Sequence, residues 1–366
     1  MDDSGFYPDE FNQGNLASGY PVRRGEPVPY QRIRDVPAGS FAGSLDDMGR
    51  FMQMLLREGS PVLRSATLAQ MGRRQNGDVA LDAEFSVGLT FWLINPTSVP
   101  DLELMSHGGD LPPYHTLLVA APEEGVAIFV ATNSSAGAAA VTELTVDGIQ
   151  RLVEARRGRS YPKKPIVDRP EQSLTEERIE ELSGYWASPI GLVETRGRRG
   201  RLKLELSQGT LTLLHRGEGY LTPEIRILGV PLIQLYPLYF QARELEGRQL
   251  LALYRSGVFL GYATRFEPAP LPEAWLGRLG EYRLESPSGG DFIESLELDH
   301  DRSSNLLTLT THVTALDQTM ELPLRVIDEA TLLTEGIGRL MGETITFHHD
   351  DEGEYLYYSG LELRRE

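Results

Sequence analysis

The residues with the clearest chemical potential are a histidine, two glycines and an aspartate, His107, Gly108, Gly109 and Asp110, which follow an apolar run. Glycine lacks the side chain that would keep another chain or a ligand away from the backbone, so a strand that ends in this way can form the edge of a pocket. The same residues are also typical of a glycine turn between two strands with a half-buried histidine. Both interpretations stay open on these residues alone.

Few other residues offer catalytic or metal-binding chemistry. The sequence contains no cysteine, which excludes thiolate metal sites and a cysteine nucleophile. Its only lysines are Lys163, Lys164 and Lys203, so residues 1–162 cannot support a mechanism that needs a lysine. The stretch His348–Glu352 could suggest a metal site, but no second set of suitably spaced ligands accompanies it. We therefore predict an acidic hairpin tip at these residues. We therefore predict no metal and no other cofactor. Four further histidines are predicted to be ordinary strand or turn residues, namely His115, His215, His300 and His312.

The elements that must position the histidine are two helices and an antiparallel sheet. Residues 1–43 predict an ordered loop, after which Ser44 caps an amphipathic helix that ends at Gly59, and a shorter helix starts at Ser65. The β-rich runs that follow predict strands over 85–94, 102–107, 114–121 and 125–132. A closing helix begins near Val141 and ends at Gly158. Helices packed on antiparallel strands place this part of the chain in the α+β class.

The second half of the sequence has a different character. A Pro-rich, locally basic linker over 158–173 predicts a domain boundary, and from residue 174 short alternating strands predominate, apart from one helix near Glu176 to Leu182. The half also repeats, because residues 183–186 resemble 279–282 and residues 209–213 resemble 305–309. We predict two small all-β barrels, residues 174–268 and 272–366, whose closed sheets leave no exposed edges.

The order of several short motifs resembles that of the serine β-lactamase-like hydrolases, the group of class C β-lactamases, D-alanyl-D-alanine peptidases, D-aminopeptidases and esterases. The matching stretches are Met1–Phe6, Leu16–Tyr20, Pro37–Ser40, His107–Gly109 and Pro122–Ser134. The resemblance covers residues 1–157 and identifies them with the C-terminal part of the catalytic domain. The two β units resemble the lipocalin-like barrels that follow this domain in some D-aminopeptidases.

The resemblance implies roles for the histidine segment. His107 takes the place of the cation in the family's Lys-Thr-Gly motif, where it would orient the substrate. The backbone N–H of Asp110 takes the place of one oxyanion-hole donor, which stabilises the charge that develops during acyl transfer. Together, His107, Gly108, Gly109 and Asp110 would form one wall of a site for a small peptide, amide or ester.

The family's nucleophile and base are missing from the printed sequence. The nucleophile is the serine of Ser-x-x-Lys, aided by the tyrosine of Tyr-x-Asn, and no Tyr-x-Asn occurs. The only Ser-x-x-Lys joins Ser160 to Lys163 within the Pro-containing linker, where no helix would hold the two side chains together. The resemblance therefore implies a chain that begins within a catalytic domain and is inactive alone. A separate N-terminal polypeptide could supply both motifs.

A second interpretation is not enzymatic. The barrels could form a binding or regulatory module, with the hydrolase part as a scaffold. Six aromatic residues of the first barrel suggest an apolar ligand, although such residues more often fill a small barrel: Tyr236, Tyr239, Phe240, Tyr254, Phe259 and Tyr262.

The net charge, the apolar runs and the first residues of the sequence limit the partners and the location of the chain. With 53 acidic and 35 basic residues, the formal net charge is −18, which disfavours nucleic acid. No apolar run approaches the ~20 residues of a membrane span. The printed start, Met1-Asp2-Asp3, lacks a signal peptide, which predicts a cytoplasmic location as written. The resemblance leaves an exported parent protein open.

Overall fold

The fold is known from a computed structural model. It describes every residue except 8–13, 22–24, 31, 34–35, 83–84, 95–98, 100, 162–167, 199, 207–208, 228–229, 236–237, 256, 285–292, 314–317, 339–340 and 366. The described residues divide into two compact units, one formed by the chain up to residue 163 and the other by the chain after it. In the described residues, no helix is long and apolar enough to cross a membrane.

The first unit opens with short elements where the sequence predicted a loop. Strand β1 (Ser4–Gly5) pairs with β2 (Ala42–Gly43), and helix α1 (Val36–Gly39) lies between them in the chain. Helix α2 (Leu45–Leu56) begins after Ser44, whose hydroxyl accepts a hydrogen bond from the Asp47 amide as a cap should. Helix α3 (Ser65–Met71) follows, so both helix starts agree with the predictions.

A five-stranded antiparallel sheet forms the centre of this unit. Its strands lie in the order of the chain: β3 (Ser86–Val87), β4 (Trp92–Ile94), β5 (Leu104–Leu111), β6 (Tyr114–Ala121) and β7 (Val126–Thr132). The single strand predicted over 85–94 is two short strands, because the amide of Gly88 donates to the carbonyl of Phe91 and turns the chain back. Helix α4 (Ala138–Arg157) closes the unit and ends at Gly158, which has a φ of 61°.

Helices cover both faces of this sheet. Leu118 and Ala120 of β6 join a core with residues of α2 and α3, including the buried Leu55 and Leu68. Val119 and Ala121 face the other way and pack with Ile149 and Val153 of α4. Since side chains alternate along a strand, the two cores lie on opposite sides of the sheet, and the unit has the predicted α+β architecture.

The second unit contains two barrels, and the helix predicted before the first one is α5 (Glu176–Leu182). The first barrel has the strands β8 (Gly184–Ser188), β9 (Gly191–Arg198), β10 (Arg201–Leu206), β11 (Gly209–His215), β12 (Tyr220–Ile227), β13 (Val230–Gln234), β14 (Leu238–Leu245), β15 (Arg248–Arg255) and β16 (Val258–Phe266). Eight of them close a ring in chain order, with β16 paired to β8, while β13 pairs with β12 outside the ring.

The second barrel is a closed ring of eight antiparallel strands. They are β17 (Gly280–Leu284), β18 (Ile293–Asp301), β19 (Leu306–Val313), β20 (Gln318–Val326), β21 (Thr331–Thr334), β22 (Thr344–Asp350), β23 (Gly353–Tyr358) and β24 (Leu361–Arg365). Strand β24 pairs with β17 and closes the ring. Its core is apolar and includes Leu298, Leu309 and Leu356.

The internal repeat agrees with the two rings at only one of its two matches. Strands β8 and β17 open the two rings, each with a glycine at positive φ, 138° at Gly184 and 130° at Gly280. The second match joins β11, the fourth strand of its ring, to β19, the third strand of the other. It is therefore a likeness between strands of similar character and not between equivalent positions.

Candidate functional site

The histidine segment lies in the middle of a strand and not at its end. Strand β5 continues through His107, Gly108 and Gly109 to Leu111, and β6 pairs with it along this whole stretch. The prediction that the strand ends at the glycines is therefore wrong, because cross-strand pairing outweighs the low strand preference of glycine. The pocket-edge interpretation does not need a strand end.

The other side of β5 is only partly occupied. Strand β4 pairs with residues 104–106, and its register stops at the pair of Trp92 with Ser106. From His107 to Leu111, β5 pairs on its β6 side alone among the described residues. His107, Gly108, Gly109 and Asp110 are all exposed. A strand edge of this kind can hydrogen-bond to an extended substrate.

The side chain of His107 lies on the sheet face that α2 and α3 cover. It is paired with Leu118, which belongs to the core on that face. Gly109 and Tyr114 share the face by strand alternation. A Cβ on Gly109 would lie 2.7 Å from the Thr116 hydroxyl oxygen, so the glycine leaves room for Thr116 beside the strand. By the strand register, His107 and Thr116 lie on the same face of the sheet.

Two tyrosines lie close together near the tip of the β5–β6 hairpin, and the sequence analysis did not predict this. Tyr114 donates a hydrogen bond to the Ala17 carbonyl, and the Tyr30 and Ser40 hydroxyls lie 3.3 Å apart. Burial raises the pKa of Tyr114, and the nearby Tyr30 raises it further. These residues belong to three separate parts of the chain, so no local spacing could have connected them. Two of the stretches, Leu16–Tyr20 and Pro37–Ser40, were noted only as family motifs.

Asp110 has a partner that sequence reasoning missed. Its carboxylate lies 2.6 Å from Nδ1 of His115, across the hairpin on the face opposite His107. The Asp110 side chain is 71% exposed, whereas that of His115 is 11% exposed. In the described part of the chain, Nε2 of His115 is buried without a hydrogen-bond partner. His115 is a strand residue, as predicted, but hairpin pairing also brings it against Asp110, five positions away, and the sequence did not predict that contact.

The remaining predicted features carry no site. Ser160 is described, but Lys163 lies outside the described residues. The acidic tip predicted over His348–Glu352 comprises the end of β22 and the turn to β23, where His349 contacts Glu354 and Asp350 binds Arg364. Across the described ranges, no three His, Asp or Glu side chains are grouped so that they could hold a metal ion.

The aromatic residues of the first barrel mostly face away from its core. Phe240 packs against the apolar interior, so Tyr239 on the same strand points outward. Tyr239 stacks on Tyr254 with ring centroids 4.8 Å apart, and Phe259 lies 4.7 Å from Tyr262. Tyr236 lies outside the described residues. The expectation that these side chains fill the barrel holds for Phe240 but not for Tyr239.

Comparison with known proteins gave one family and several solved structures. Residues 1–148 match the family model described as Beta-lactamase. Eight solved chains match, among them a crystal structure of SurE at 17% identity, which covers 72% of this chain and 60% of that one with a TM-score of 0.49. SurE with D-Leu matches at 17% identity over 72% and 59%, with a TM-score of 0.46. The octameric penicillin-binding protein homologue from Pyrococcus abyssi matches at 16% over 72% and 56%, with a TM-score of 0.38.

The extent of these matches is limited. The chain spans less than two thirds of the length of each of these three solved chains. No curated protein matches. The family model, in contrast, covers the whole sheet and most of α4, including the exposed stretch of β5. The match to the Beta-lactamase family model thus ends at residue 148, and the chain continues beyond it into two eight-stranded barrels.

Proposed function

We propose that this chain provides the substrate-binding wall of a serine hydrolase that cleaves small peptides, amides or esters through an acyl-serine intermediate. The observation that carries the proposal is the stretch of β5 from His107 to Leu111, exposed as far as Asp110, which among the described residues pairs on one side only and lies within the segment that matches the Beta-lactamase family model. On this proposal the free side of the strand binds the substrate backbone. His107 orients the substrate, and the Asp110 amide is one donor to the developing oxyanion.

The same proposal assigns the covalent step to residues outside these 366. Acyl transfer needs an activated nucleophile, and the sequence contains no Tyr-x-Asn and no Ser-x-x-Lys other than the one at Ser160. Removing a nucleophile and its base removes the covalent route, although binding by the rest of the site remains. We therefore expect the isolated chain to bind substrate-like molecules weakly and not to react with them.

The non-enzymatic alternative has less support. A binding barrel needs inward-facing groups that contact a ligand, but the second barrel is lined by packed apolar residues such as Leu298 and Leu309. In the first barrel, Tyr239 and Tyr254 stack on each other outside the core. The exposed edge of β5 offers a more direct binding surface than either interior.

Benzylpenicillin tests both parts of the proposal. We expect nuclear magnetic resonance titration to shift the amides of His107–Asp110, and intact-mass measurement to show no adduct. His107→Ala should weaken binding severalfold, whereas the matched control His348→Ala, at an exposed position of the second barrel, should not change it. A class C β-lactamase serves as the positive control for acylation. A covalent adduct on this chain would disprove its inactivity, and unshifted His107–Asp110 amides would disprove the binding wall.

A further inference from the structure

The backbone amide of Asp110 points to the open side of β5. Pro112 has no N–H, so Leu111 and Tyr114, which pair at the end of the hairpin, must exchange their hydrogen bonds directly with each other. Hydrogen-bonded and non-hydrogen-bonded pairs alternate along an antiparallel ladder, and the register of β5 with β6 runs without a shift. Asp110 and His115 are therefore a pair whose backbone N–H and C=O groups are turned away from the opposite strand. On β5 these groups point to the side that is left unpaired among the described residues.

The side chain of Asp110 is held by a residue in the interior of the sheet. Its Oδ1 lies 2.6 Å from Nδ1 of His115. An ionised carboxylate can only accept hydrogen bonds, so Nδ1 carries the proton and donates it to this contact. His115 belongs to β6, which pairs with β5 on one side and with β7 on the other, and its side chain is largely buried. The contact therefore ties an exposed strand to a strand that is fixed on both sides.

Filling of space does not account for a histidine at position 115. Its Nε2 is buried and has no hydrogen-bond partner in the part of the chain that the structure describes. A buried polar atom without a partner costs free energy that an apolar side chain of similar size would avoid. Leu117 and Val119, on the same face of β6, are apolar and pack into the core beneath α4. The hydrogen bond to Asp110 is therefore what the imidazole ring adds at this position.

The exposed part of β5 needs a tether of this kind. Gly108 and Gly109 come directly before Asp110, and glycine gives the backbone more conformational freedom than any other residue. Both glycines are exposed, and the open side of the strand adds no pairing that would fix them among the described residues. A backbone N–H stabilises a developing negative charge only when its direction is set before the charge forms. The side chain of Asp110 is the nearest point at which the direction of this amide can be fixed.

We propose that His115 is a positioning residue for the substrate-binding wall. It holds the Asp110 side chain, so that the Asp110 amide keeps its direction toward the open side of β5 and donates to the carbonyl oxygen of a bound substrate. The proposal rests on the proposed function, which gives this amide its role. His115 lies on the sheet face opposite His107 and acts through Asp110 without touching the substrate.

Two substitutions of His115 separate its hydrogen bond from its packing. Leucine and asparagine have nearly the same size and shape, and both remove the imidazole ring. Asparagine keeps an N–H donor close to the position of Nδ1, whereas leucine has none. His115→Leu and His115→Asn therefore form a matched pair that differs in the donor to Asp110. Leu117→Ala, on the same face of β6, is the control for lost packing that leaves the contact with Asp110 in place.

Nuclear magnetic resonance on the complete 366-residue chain without ligand tests the tether itself. The order parameter of the Asp110 N–H should be about 0.85 in the wild type, in His115→Asn and in Leu117→Ala, and should fall below about 0.6 in His115→Leu. Nitrogen-15 spectra of the His115 ring should show a proton on Nδ1, which a ring that only fills space does not require. An unchanged order parameter in His115→Leu, or an unprotonated Nδ1 in the wild type, would overturn the proposal.

Benzylpenicillin titration of the same samples tests the consequence for binding. His115→Leu should weaken binding about tenfold and His115→Asn by less than about twofold, because small displacements of a binding group are costly. Asp110→Ala, at a position whose side chain is 71% exposed, should weaken binding as much as His115→Leu, and the double variant should bind no more weakly than either.

The outcomes distinguish this proposal from the proposed function. Equal binding by His115→Leu and His115→Asn, or additive losses in the double variant, would overturn the positioning role while leaving the binding wall intact. A wild-type chain that does not bind benzylpenicillin would overturn the proposed function, and with it the substrate role of the Asp110 amide. The order parameter of that amide, measured without ligand, then still shows whether His115 holds Asp110.

Discussion

At the scale of single residues, Asp47 links the start of the chain to helix α2. Its side chain is fully buried, and it accepts hydrogen bonds from the Asp3 amide and the Ser4 hydroxyl, both at 2.8 Å, and from Arg50. Burial by itself would raise the pKa of Asp47, but the hydrogen bonds from Ser4, Asp3 and Arg50 outweigh it, so the pKa is lowered. The folded state therefore favours the charged carboxylate.

This arrangement predicts an acid-sensitive contribution to stability. Because the folded-state pKa of Asp47 is lower than its value in the unfolded chain, the stabilisation is complete above about pH 4 and is lost as the pH falls through the lowered pKa. Asp47→Asn should destabilise the protein at pH 7 and reduce the loss of stability between pH 5 and pH 3, as measured by thermal unfolding. Asp46→Asn, at the exposed neighbouring position, is the control. An unchanged pH profile in Asp47→Asn would contradict this role.

Functional features made of adjacent residues could be predicted from the sequence. Contacts that form only when the chain folds were missed. His107 and its glycines are adjacent, so their chemistry could be inferred from the printed order. The contact of Asp110 with His115 depends on the register of a hairpin. The hydrogen bond of Tyr114 with Ala17 joins residues 97 positions apart. Pairwise distances of this kind are set by tertiary structure, which no residue pattern encodes directly.

At the scale of elements, helices were predicted more accurately than strands. The caps of α2 and α5 are local hydrogen bonds, from the Asp47 amide to Ser44 and from the Arg178 amide to Thr175. The extent of β5 depends instead on β6, which pairs with it as far as Leu111. Strand ends are therefore set by the neighbouring strand, and propensity alone placed the end of β5 too early.

The end of α3 approaches the β3–β4 turn closely at Gly88, and substitution of this glycine tests that approach. A Cβ at Gly88 would lie 2.1 Å from the carbonyl oxygen of Met71, the last residue of α3, and the next amide, that of Leu89, donates to the same carbonyl. Gly88→Ala should therefore cost about 1–3 kcal/mol in the free energy of unfolding, measured with urea. Gly77→Ala, with nothing within 4 Å, should change it by less than about 0.5 kcal/mol. Equal effects would show that the close approach is not present in solution.

At the scale of the whole molecule, the two barrels of the second unit meet at a glycine. Gly191 in β9 has a φ of 98°, and a Cβ there would lie 2.7 Å from the backbone oxygen of Glu321 in β20. Gly209 in β11 also has a positive φ, 138°, but has nothing within 4 Å. A side chain would therefore strain the backbone at both positions, but only at Gly191 would it also meet the other barrel.

Alanine substitutions at Gly191 and Gly209 can be compared to test the close contact between the barrels through the free energy of unfolding. Gly191→Ala and Gly209→Ala should each cost about 1–2 kcal/mol for the left-handed conformation. Gly191→Ala should cost about 1–3 kcal/mol more, because the new methyl group forces the backbone of β20 to move. Urea unfolding followed by circular dichroism measures both. If the two variants lose the same stability, the barrels do not press on each other at this point.

The number and type of the barrels could be predicted from the sequence, but the register of their repeat could not. Turn residues separate the short alternating runs, and the glycine that opens each ring is preserved 96 positions later, at Gly184 and Gly280. The likeness of β11 to β19 was misleading because alternating leucine and threonine suit many strands of a barrel equally well. A position in the ring is defined only by which strands pair.

The closure of the first ring has a consequence for the synthesis of the protein. The ring pairs strands in chain order, with β13 left out between β12 and β14, and its one long-range pairing joins β16 to β8, where Phe266 meets Tyr185. The ribosome adds residues at about 5–20 per second, so β8 waits roughly 4–16 s before its closing partner is made. During that interval both ends of the growing sheet are open. The barrel is thus most vulnerable to misassociation while it is translated, and slowing translation between these two strands should lower the yield of folded protein.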